Sequence, residues 1–175
     1  MQAILIGFMG SGKTTVGRLL AQQLQTQAVD LDDLIVTQVG QPITQIFSEQ
    51  GETGFRHLEQ ATLCQALTQP GVLSTGGGTP TSQKNAEILM ASSIPVIWLA
   101  AADQTILQRL ANNRDRPLVN TLASADLLAL KHRRASIYEG TADLIVSTDA
   151  LTPLAIATQI VTWLMRRTMP VELSR

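Results

Sequence analysis

A glycine-rich segment near the amino terminus has the residue types needed to hold phosphate groups. Residues 7–14 read Gly-Phe-Met-Gly-Ser-Gly-Lys-Thr and match G-x-x-x-x-G-K-[ST] at every specified position. Glycines let successive backbone N–H groups turn toward one anion, and a helix that begins there adds its unpaired N–H groups. Lys13 would reach the β- and γ-phosphates, and the Thr14 hydroxyl would bind Mg²⁺. This phosphate loop predicts a nucleoside triphosphate site, with ATP as the expected ligand, rather than a glycine-rich turn with an incidental lysine.

Two aspartates, Asp30 and Asp32, lie at the end of a short predicted strand over 27–30. Residues two apart in an extended segment face the same way, so both carboxylates can project from one edge of a sheet. Ligands of open α/β sheets bind at the carboxyl ends of the strands. We expect one carboxylate to serve Mg²⁺ through water and the other to accept hydrogen bonds from a hydroxylated substrate. The alternative is a helix amino terminus decorated with acids, which suits Asp33 better than its neighbours.

A pair of charged residues lies on a predicted helix over 52–69. Arg56 and Glu59 are three residues apart and share one helix face. Glu59 could hold Arg56 in a fixed pose, so that the guanidinium grips a carboxylate through two parallel hydrogen bonds. A surface ion pair of little energetic consequence is the alternative. We interpret His57, and likewise His132, as solvated helix residues rather than as bases.

Three consecutive glycines at 76–78, called the glycine segment below, follow a predicted strand at 72–73. Such a run is costly in conformational entropy, and it makes sense where a flat ligand must approach the backbone closely. P-loop nucleotidases often carry a magnesium-binding aspartate after this strand, but Ser74 and Thr75 stand here. The carboxylate for the metal must then come from elsewhere, and Asp30 is the best candidate.

Two adjacent arginines, Arg133 and Arg134, lie on a predicted helix over 124–139. Consecutive helical residues diverge by about 100°, so only one of the two should face the site, and these residues alone do not decide which. The stretch over 112–120, before this helix, is too polar to pack as core. We interpret it as a mobile flap, with a plain surface loop as the alternative.

Short apolar runs alternate with longer helical patterns along the whole chain. The predicted strands are 3–6, 27–30, 72–73, 95–99 and 144–146, and the predicted helices are 13–25, 31–39, 43–50, 52–69, 82–91, 103–111, 124–139 and 152–168. Strands that alternate with helices require a parallel sheet covered on both faces. The pattern predicts an α/β protein with three layers, α/β/α, in a single domain over 1–175.

The composition argues against several other classes of protein. A chain of 175 residues fits one domain with its own core, and 45% hydrophobic residues exclude highly charged disorder. A net charge of −1 gives no reason to expect a nucleic-acid or anionic-membrane partner, and no apolar run is long enough to span a bilayer. Cys64 is the one cysteine, which fits a reducing compartment, and we expect it to be a small core residue. The first residues predict a strand rather than a signal peptide.

Taken together, the motifs resemble those of shikimate kinases along almost the whole chain. The matching features are G-x-x-G-x-G-K-T-T at 7–15, D-x-D at 30–32, G-E-x-x-F-R-x-x-E at 51–59, G-G-G at 76–78, R-P-L at 116–118 and R-x-x-x-Y at 134–138. A lone phosphate loop would be unspecific, whereas this combination at these separations is highly specific. The resemblance implies a fold of the nucleoside monophosphate kinase type, with a five-stranded parallel sheet of order 2-3-1-4-5.

The resemblance also implies that MgATP phosphorylates the 3-hydroxyl of shikimate, on the route to chorismate and aromatic amino acids. The residues that would bind ATP are Gly10, Ser11, Gly12, Lys13, Thr14, Thr15, Arg109 and Arg116. Arg109 would flank the adenine, and Arg116 would lie in a mobile lid over 112–122. The residues that would bind shikimate, from the region 31–60 and from later segments, are Asp32, Arg56, Gly76, Gly77, Gly78 and Arg134. The catalytic residues would be Lys13, Asp32 and Arg116, and the Mg²⁺ ligands would be Thr14 and, through water, Asp30.

Two other functions stay open, and we expect a cytoplasmic monomer in each case. One is a kinase of another small hydroxy acid, such as gluconate, on the same scaffold; Arg56, Arg134 and the glycine segment favour a cyclic carboxylate instead. The other is a non-catalytic nucleotide-binding relative that serves as a regulator. The intact Lys13, Asp32 and Arg116 argue against that role.

Overall fold

The structure is a computed structural model that describes residues 1–111 and 124–168. Five strands form one sheet: β1 (Ala3–Ile6), β2 (Ala28–Asp30), β3 (Val72–Ser74), β4 (Val96–Ala100) and β5 (Leu144–Ser147). Their order across the sheet is β2-β3-β1-β4-β5, and every neighbouring pair is parallel. The predicted parallel sheet and its strand order are confirmed.

Seven α-helices lie around the sheet within the described ranges: α1 (Lys13–Gln23), α2 (Leu31–Val39), α3 (Ile43–Leu67), α4 (Gln83–Ala91), α5 (Asp103–Ala111), α6 (Ser124–Thr141) and α7 (Pro153–Thr168). The two helices predicted over 43–50 and 52–69 meet in α3 at a kink, because Gly51 has a φ of 66° and a ψ of −174°. A 3₁₀ helix at Thr79–Thr81, absent from the predicted elements, follows the glycine segment. None of the helices in these ranges has the length and apolar content that a membrane span requires.

The core has two halves, one on each face of the sheet. Ala3 and Leu5 of β1 pack in a cluster with side chains of α1 and α7. Ile4 and Ile6 pack in a second cluster with side chains of α2, α3, α4, α5 and α6. This division follows from the alternation of side chains along a strand, and it confirms the three-layer architecture. With both faces covered, the accessible place for a ligand is the carboxyl edge of the sheet, where the loops follow the strands.

The expectation that Cys64 is a small core residue is wrong. Its side chain is exposed on α3. Leu63 and Ala66 occupy the buried face of this part of the helix, with 0% and 2% of their surface exposed. The helical rotation of about 100° per residue turns the position after Leu63 away from the core.

Candidate active site

The phosphate loop joins β1 to α1 at the carboxyl edge of the central strand. Gly7 has a φ of 141°, and a Cβ there would lie 2.6 Å from the Leu99 carbonyl oxygen, so a side chain cannot be accommodated. Lys13, at the start of α1, is buried, and its Nζ donates hydrogen bonds to the carbonyl oxygens of Gly7 (2.9 Å) and Phe8 (3.0 Å). The ammonium is therefore held against the loop, next to the amides that would bind an anion.

A cavity of about 450 Å³ opens beside the phosphate loop. Its lining includes every predicted ATP-binding residue that the structure describes: Gly10, Ser11, Gly12, Lys13, Thr14, Thr15 and Arg109. Asp30 and Asp32 line the same space, and so do Gly76 and Gly77. A volume of this size suits a small-molecule ligand. The fold thus brings the phosphate loop, both aspartates and the glycine segment to one place.

The side chains of Thr14 and Asp30 are neighbours across the floor of this site. The Thr14 hydroxyl donates to Asp30 Oδ2 at 3.1 Å. The other carboxylate oxygen, Oδ1, accepts the Asp32 backbone N–H at 3.1 Å and so caps α2. Asp30 therefore does cap a helix, as the alternative explanation held, and it also faces the phosphate loop. A hydroxyl and a carboxylate are hard oxygen donors, the kind that Mg²⁺ takes while it keeps several of its waters.

Arg109 of α5 connects the phosphate loop to the segment after β5. Its Nη1 donates to the Gly10 carbonyl oxygen (3.2 Å) and to the Thr148 hydroxyl (3.0 Å), and its Nη2 donates to the Thr148 carbonyl oxygen (2.7 Å). Thr148 is buried, and Leu151 and Pro153 of the same segment line the cavity. The guanidinium is thereby fixed in the wall where the resemblance puts the adenine.

The glycine segment is crowded by the protein itself. A Cβ added at 76, 77 or 78 would lie, respectively, 2.9 Å from Asp32 Oδ1, 3.2 Å from the Met9 backbone nitrogen and 2.6 Å from Arg56 Nη2. The sequence explanation, close approach of a flat ligand, is thus incomplete, because two side chains and the phosphate loop already approach the backbone. The glycine segment therefore contacts the phosphate loop, Asp32 and Arg56.

Arg56 is held by a buried carboxylate. Its Nη1 donates to Glu59 Oε2 at 2.8 Å, and Glu59, only 1% exposed, also accepts from the Thr79 hydroxyl (2.7 Å) and Asn85 Nδ2 (3.1 Å). Burial alone would lower the pKa of the Arg56 guanidinium, but the charge of Glu59 and hydrogen bonds to Glu59 and Glu52 outweigh it and raise that pKa above its ordinary value. Glu59 therefore belongs to the interior, which rules out the alternative of a surface ion pair.

Arg134 of α6 is the member of the arginine pair that faces the site. Its Nη1 donates to the Gly77 carbonyl oxygen at 3.3 Å, and its guanidinium carbon lies 5.9 Å from the centre of the Phe8 ring. Arg133 is exposed. Side chains from α2, α3 and α6 thus meet at three consecutive glycines.

The remaining predicted residues either lie outside the described residues or are exposed. Arg116, the flap over 112–120 and the lid over 112–122 lie outside the described residues. His57 is exposed, as interpreted from the sequence. His132 is also exposed, but its Nε2 lies 2.8 Å from Asp103 Oδ2 and links α6 to α5.

The sequence analysis missed Thr79 and Asn85, the two residues that share Glu59 with Arg56. A signal existed for Asn85, because it lies four residues before the buried Leu89 on α4 and therefore on the same, apolar face. Both residues are 0% exposed. A buried polar side chain needs a partner, and here that partner is the carboxylate that positions Arg56.

Comparisons with known proteins agree with this geometry. The model of the family described as shikimate kinase matches residues 9–165. A shikimate kinase of Limosilactobacillus fermentum is 42% identical over 94% of this chain and 95% of its own length. A solved shikimate kinase from Acinetobacter baumannii, in complex with shikimate, is 31% identical over 96% of this chain and 94% of its own, with a TM-score of 0.87. A gluconokinase from Sinorhizobium meliloti has a TM-score of 0.60 but only 16% identity, so it shares the fold alone.

The buried position of Glu59 predicts a large effect on stability. We expect Glu59→Gln to lower the free energy of unfolding by about 3 kcal/mol, because it removes the buried charged partner of the half-buried Arg56 guanidinium and disrupts the hydrogen bonds that Thr79 and Asn85 make to the same carboxylate. The matched control is Glu52→Gln, since Glu52 also pairs with Arg56 but its side chain is 72% exposed; we expect a loss below about 1 kcal/mol there. Urea denaturation of both variants measures the difference, and equal losses would contradict the assignment.

Proposed function

The chain belongs to the shikimate kinase family, and we propose that it transfers the γ-phosphoryl group of ATP to the 3-hydroxyl of shikimate, giving shikimate 3-phosphate and ADP. The observation that carries this proposal is the meeting of Asp32, Arg56 and Arg134 at the glycine segment, beside the phosphate loop. Shikimate is a small ring that carries one carboxylate and several hydroxyls. Two guanidinium groups and one carboxylate are its chemical complement. The reaction is a step in chorismate and aromatic amino-acid biosynthesis.

On the nucleotide side, the phosphate loop and the start of α1 bind the triphosphate in the 450 Å³ cavity. Lys13 neutralises charge on the γ-phosphoryl oxygens, which bear most of the charge in the transition state. Arg116 of the 112–122 segment would serve the same purpose. Arg109, held by Gly10 and Thr148, supports one face of the adenine.

The metal that would accompany ATP is Mg²⁺, and the residues that would hold it are Thr14, through its hydroxyl, and Asp30, through water. The support for this assignment is the 3.1 Å contact between their oxygens at the cavity floor. Bound there, Mg²⁺ would neutralise charge on the β- and γ-phosphates. The chain contributes the two oxygen donors and keeps Asp30 in place through the α2 cap.

On the acceptor side, Asp32 binds the hydroxyls of shikimate, orients the attacking one and receives its proton late in the transfer. Arg56 and Arg134 bind the carboxylate at the other end of the ring. Phosphoryl transfer depends mainly on positioning and on charge neutralisation. The hydrogen bond from Arg56 to Glu59 contributes to positioning, because it fixes the guanidinium before the substrate arrives.

We also propose that the enzyme is a cytoplasmic monomer with a single domain over 1–175. A lone cysteine fits a reducing compartment. Within residues 1–111 and 124–168, the exposed large apolar side chains come from four elements and one loop: Phe47 of α3, Met90 of α4, Ile145 of β5, Leu154 and Met165 of α7, and Leu151 just before α7. Apolar residues scattered in this way are ordinary on a monomer's surface.

The direct test of the function is ADP release from ATP with and without shikimate. We expect turnover to depend on added shikimate and to require Mg²⁺. Gluconate in place of shikimate should give no increase over the basal rate, because its flexible open chain does not hold the carboxylate and the hydroxyls in one fixed arrangement as the ring of shikimate does. Turnover with gluconate but not with shikimate would favour the alternative kinase, and no turnover with either would favour a non-catalytic relative.

Asp32→Asn tests the role of the acceptor carboxylate. We expect turnover to fall at least about a hundredfold, since removal of a group that orients and deprotonates the hydroxyl costs that much, while ATP binding changes little. Asp33→Asn is the matched control, because it makes the same change one residue away on an exposed side chain. A coupled assay and nucleotide titration measure both, and normal turnover of Asp32→Asn would refute the role.

Arg134→Ala tests the carboxylate clamp. The loss of a charged hydrogen-bonding group should raise the KM for shikimate by about 10- to 100-fold, with a much smaller change in the KM for ATP. Arg133→Ala, which removes the same charge from the exposed neighbour, should leave both values within about twofold. Equal effects of the two substitutions would mean that net charge, rather than a specific contact, is responsible.

A further inference from the structure

Tyr138 is a buried polar residue to which the proposed reaction gives no direct task. It is 1% exposed, and its hydroxyl donates to the Gly77 carbonyl oxygen at 2.5 Å. Arg134 Nη1 donates to the same oxygen at 3.3 Å. The two residues are four apart on α6 and so lie on one face of the helix. One carbonyl oxygen of the glycine segment therefore accepts hydrogen bonds from both side chains.

The tyrosine is a fixed donor. Its ring lies against the Trp98 ring of β4, with the ring centres 5.8 Å apart. Burial raises the pKa of the Tyr138 hydroxyl to about 12, against the opposing influence of Arg134. The hydroxyl thus keeps its proton at every pH where the enzyme works, and the Gly77 carbonyl keeps its partner.

The two hydrogen bonds are unequal, and the difference matters for Arg134. The tyrosine bond is short, whereas the arginine bond is near the limit of a useful contact. A guanidinium has five donors, and the long contact to Gly77 uses only one of those of Arg134. On its other side, position 77 lies close to the phosphate loop, because a Cβ there would meet the Met9 backbone nitrogen at 3.2 Å, tighter than an ordinary van der Waals contact.

We propose that Tyr138 is a positioning residue of the acceptor site, which acts through the Gly77 carbonyl and touches neither substrate. By donating a hydrogen bond to that carbonyl oxygen, Tyr138 fixes the orientation of the glycine segment, which Asp32 and Arg56 also contact. It also keeps Arg134 from turning fully toward Gly77. Without the hydroxyl, Arg134 is the one side-chain donor left to this carbonyl among residues 1–111 and 124–168, and it is drawn away from the substrate carboxylate. This inference rests on the proposed function.

The test is steady-state kinetics of Tyr138→Phe, which removes the hydroxyl and keeps the ring. We expect the KM for shikimate to rise by about 3- to 20-fold, with the KM for ATP unchanged and kcat within about threefold. Irreversibly unfolded enzyme would lower kcat and leave both KM values unchanged, whereas reversible unfolding would raise both KM values. A rise confined to the KM for shikimate therefore reports on the acceptor site. Thr141→Val is the matched control, because Thr141 is buried on the same helix and its hydroxyl donates to the Ile137 carbonyl oxygen at 2.7 Å, away from the glycine segment.

A double-mutant cycle with Arg134→Lys adds a second readout. Because the two side chains share one acceptor, we expect the combined rise in the KM for shikimate to be smaller than the product of the single rises. A Tyr138→Phe value within twofold of wild type, an equal rise in Thr141→Val, or independent effects in the cycle would each overturn the inference alone. Wild-type enzyme that does not turn over shikimate would overturn the proposed function and this inference with it.

Discussion

The constraint on which the site depends is the absence of side chains at 76–78. Three groups from three different parts of the chain approach this backbone so closely that a methyl group would clash with Asp32 at position 76 and with Arg56 at position 78, and would be crowded by Met9 at position 77. Because the segment follows β3, which pairs with both β1 and β2, its position is fixed by the sheet. The phosphate loop follows β1 and Asp32 follows β2. Parallel strands thus deliver all three parts to one edge, and the glycines let them meet.

The site also requires that the positive charge of Arg56 keep one orientation in a partly buried environment. Arg56 could not be kept there alone, since an unpaired buried guanidinium is strongly unfavourable. Glu59 neutralises it, while Thr79 and Asn85 donate hydrogen bonds to the same carboxylate and hold it in place. A buried ion pair of this kind contributes little net stability compared with apolar packing. What the pair provides is a defined orientation of the Arg56 guanidinium, which the proposed role in binding the substrate carboxylate requires.

Local patterns in the sequence were enough to predict the strands, most helix boundaries and the phosphate loop, because those depend on periodicity and on glycine spacing. The strand order came from the family resemblance. Packing decided the rest. Cys64 and Leu63 are adjacent and both apolar in type, yet only one faces the core. The choice between Arg133 and Arg134 depends on how α6 is rotated, and the partners of Glu59 come from elements 20 and 26 residues away along the chain.

A reaction that must align two substrates is better served by a binding surface formed by backbone atoms than by one formed by side chains. Side chains move between rotamers, whereas a backbone segment anchored by a strand, a 3₁₀ helix and two donors on one carbonyl has few alternative positions. In-line transfer loses much of its rate with a misplacement of about 1 Å. The glycine segment contacts the phosphate loop on one side and the acceptor side chains on the other. The distance between the phosphate loop and the side chains proposed to bind the acceptor is therefore set by main-chain packing. The side chains add only the final contacts.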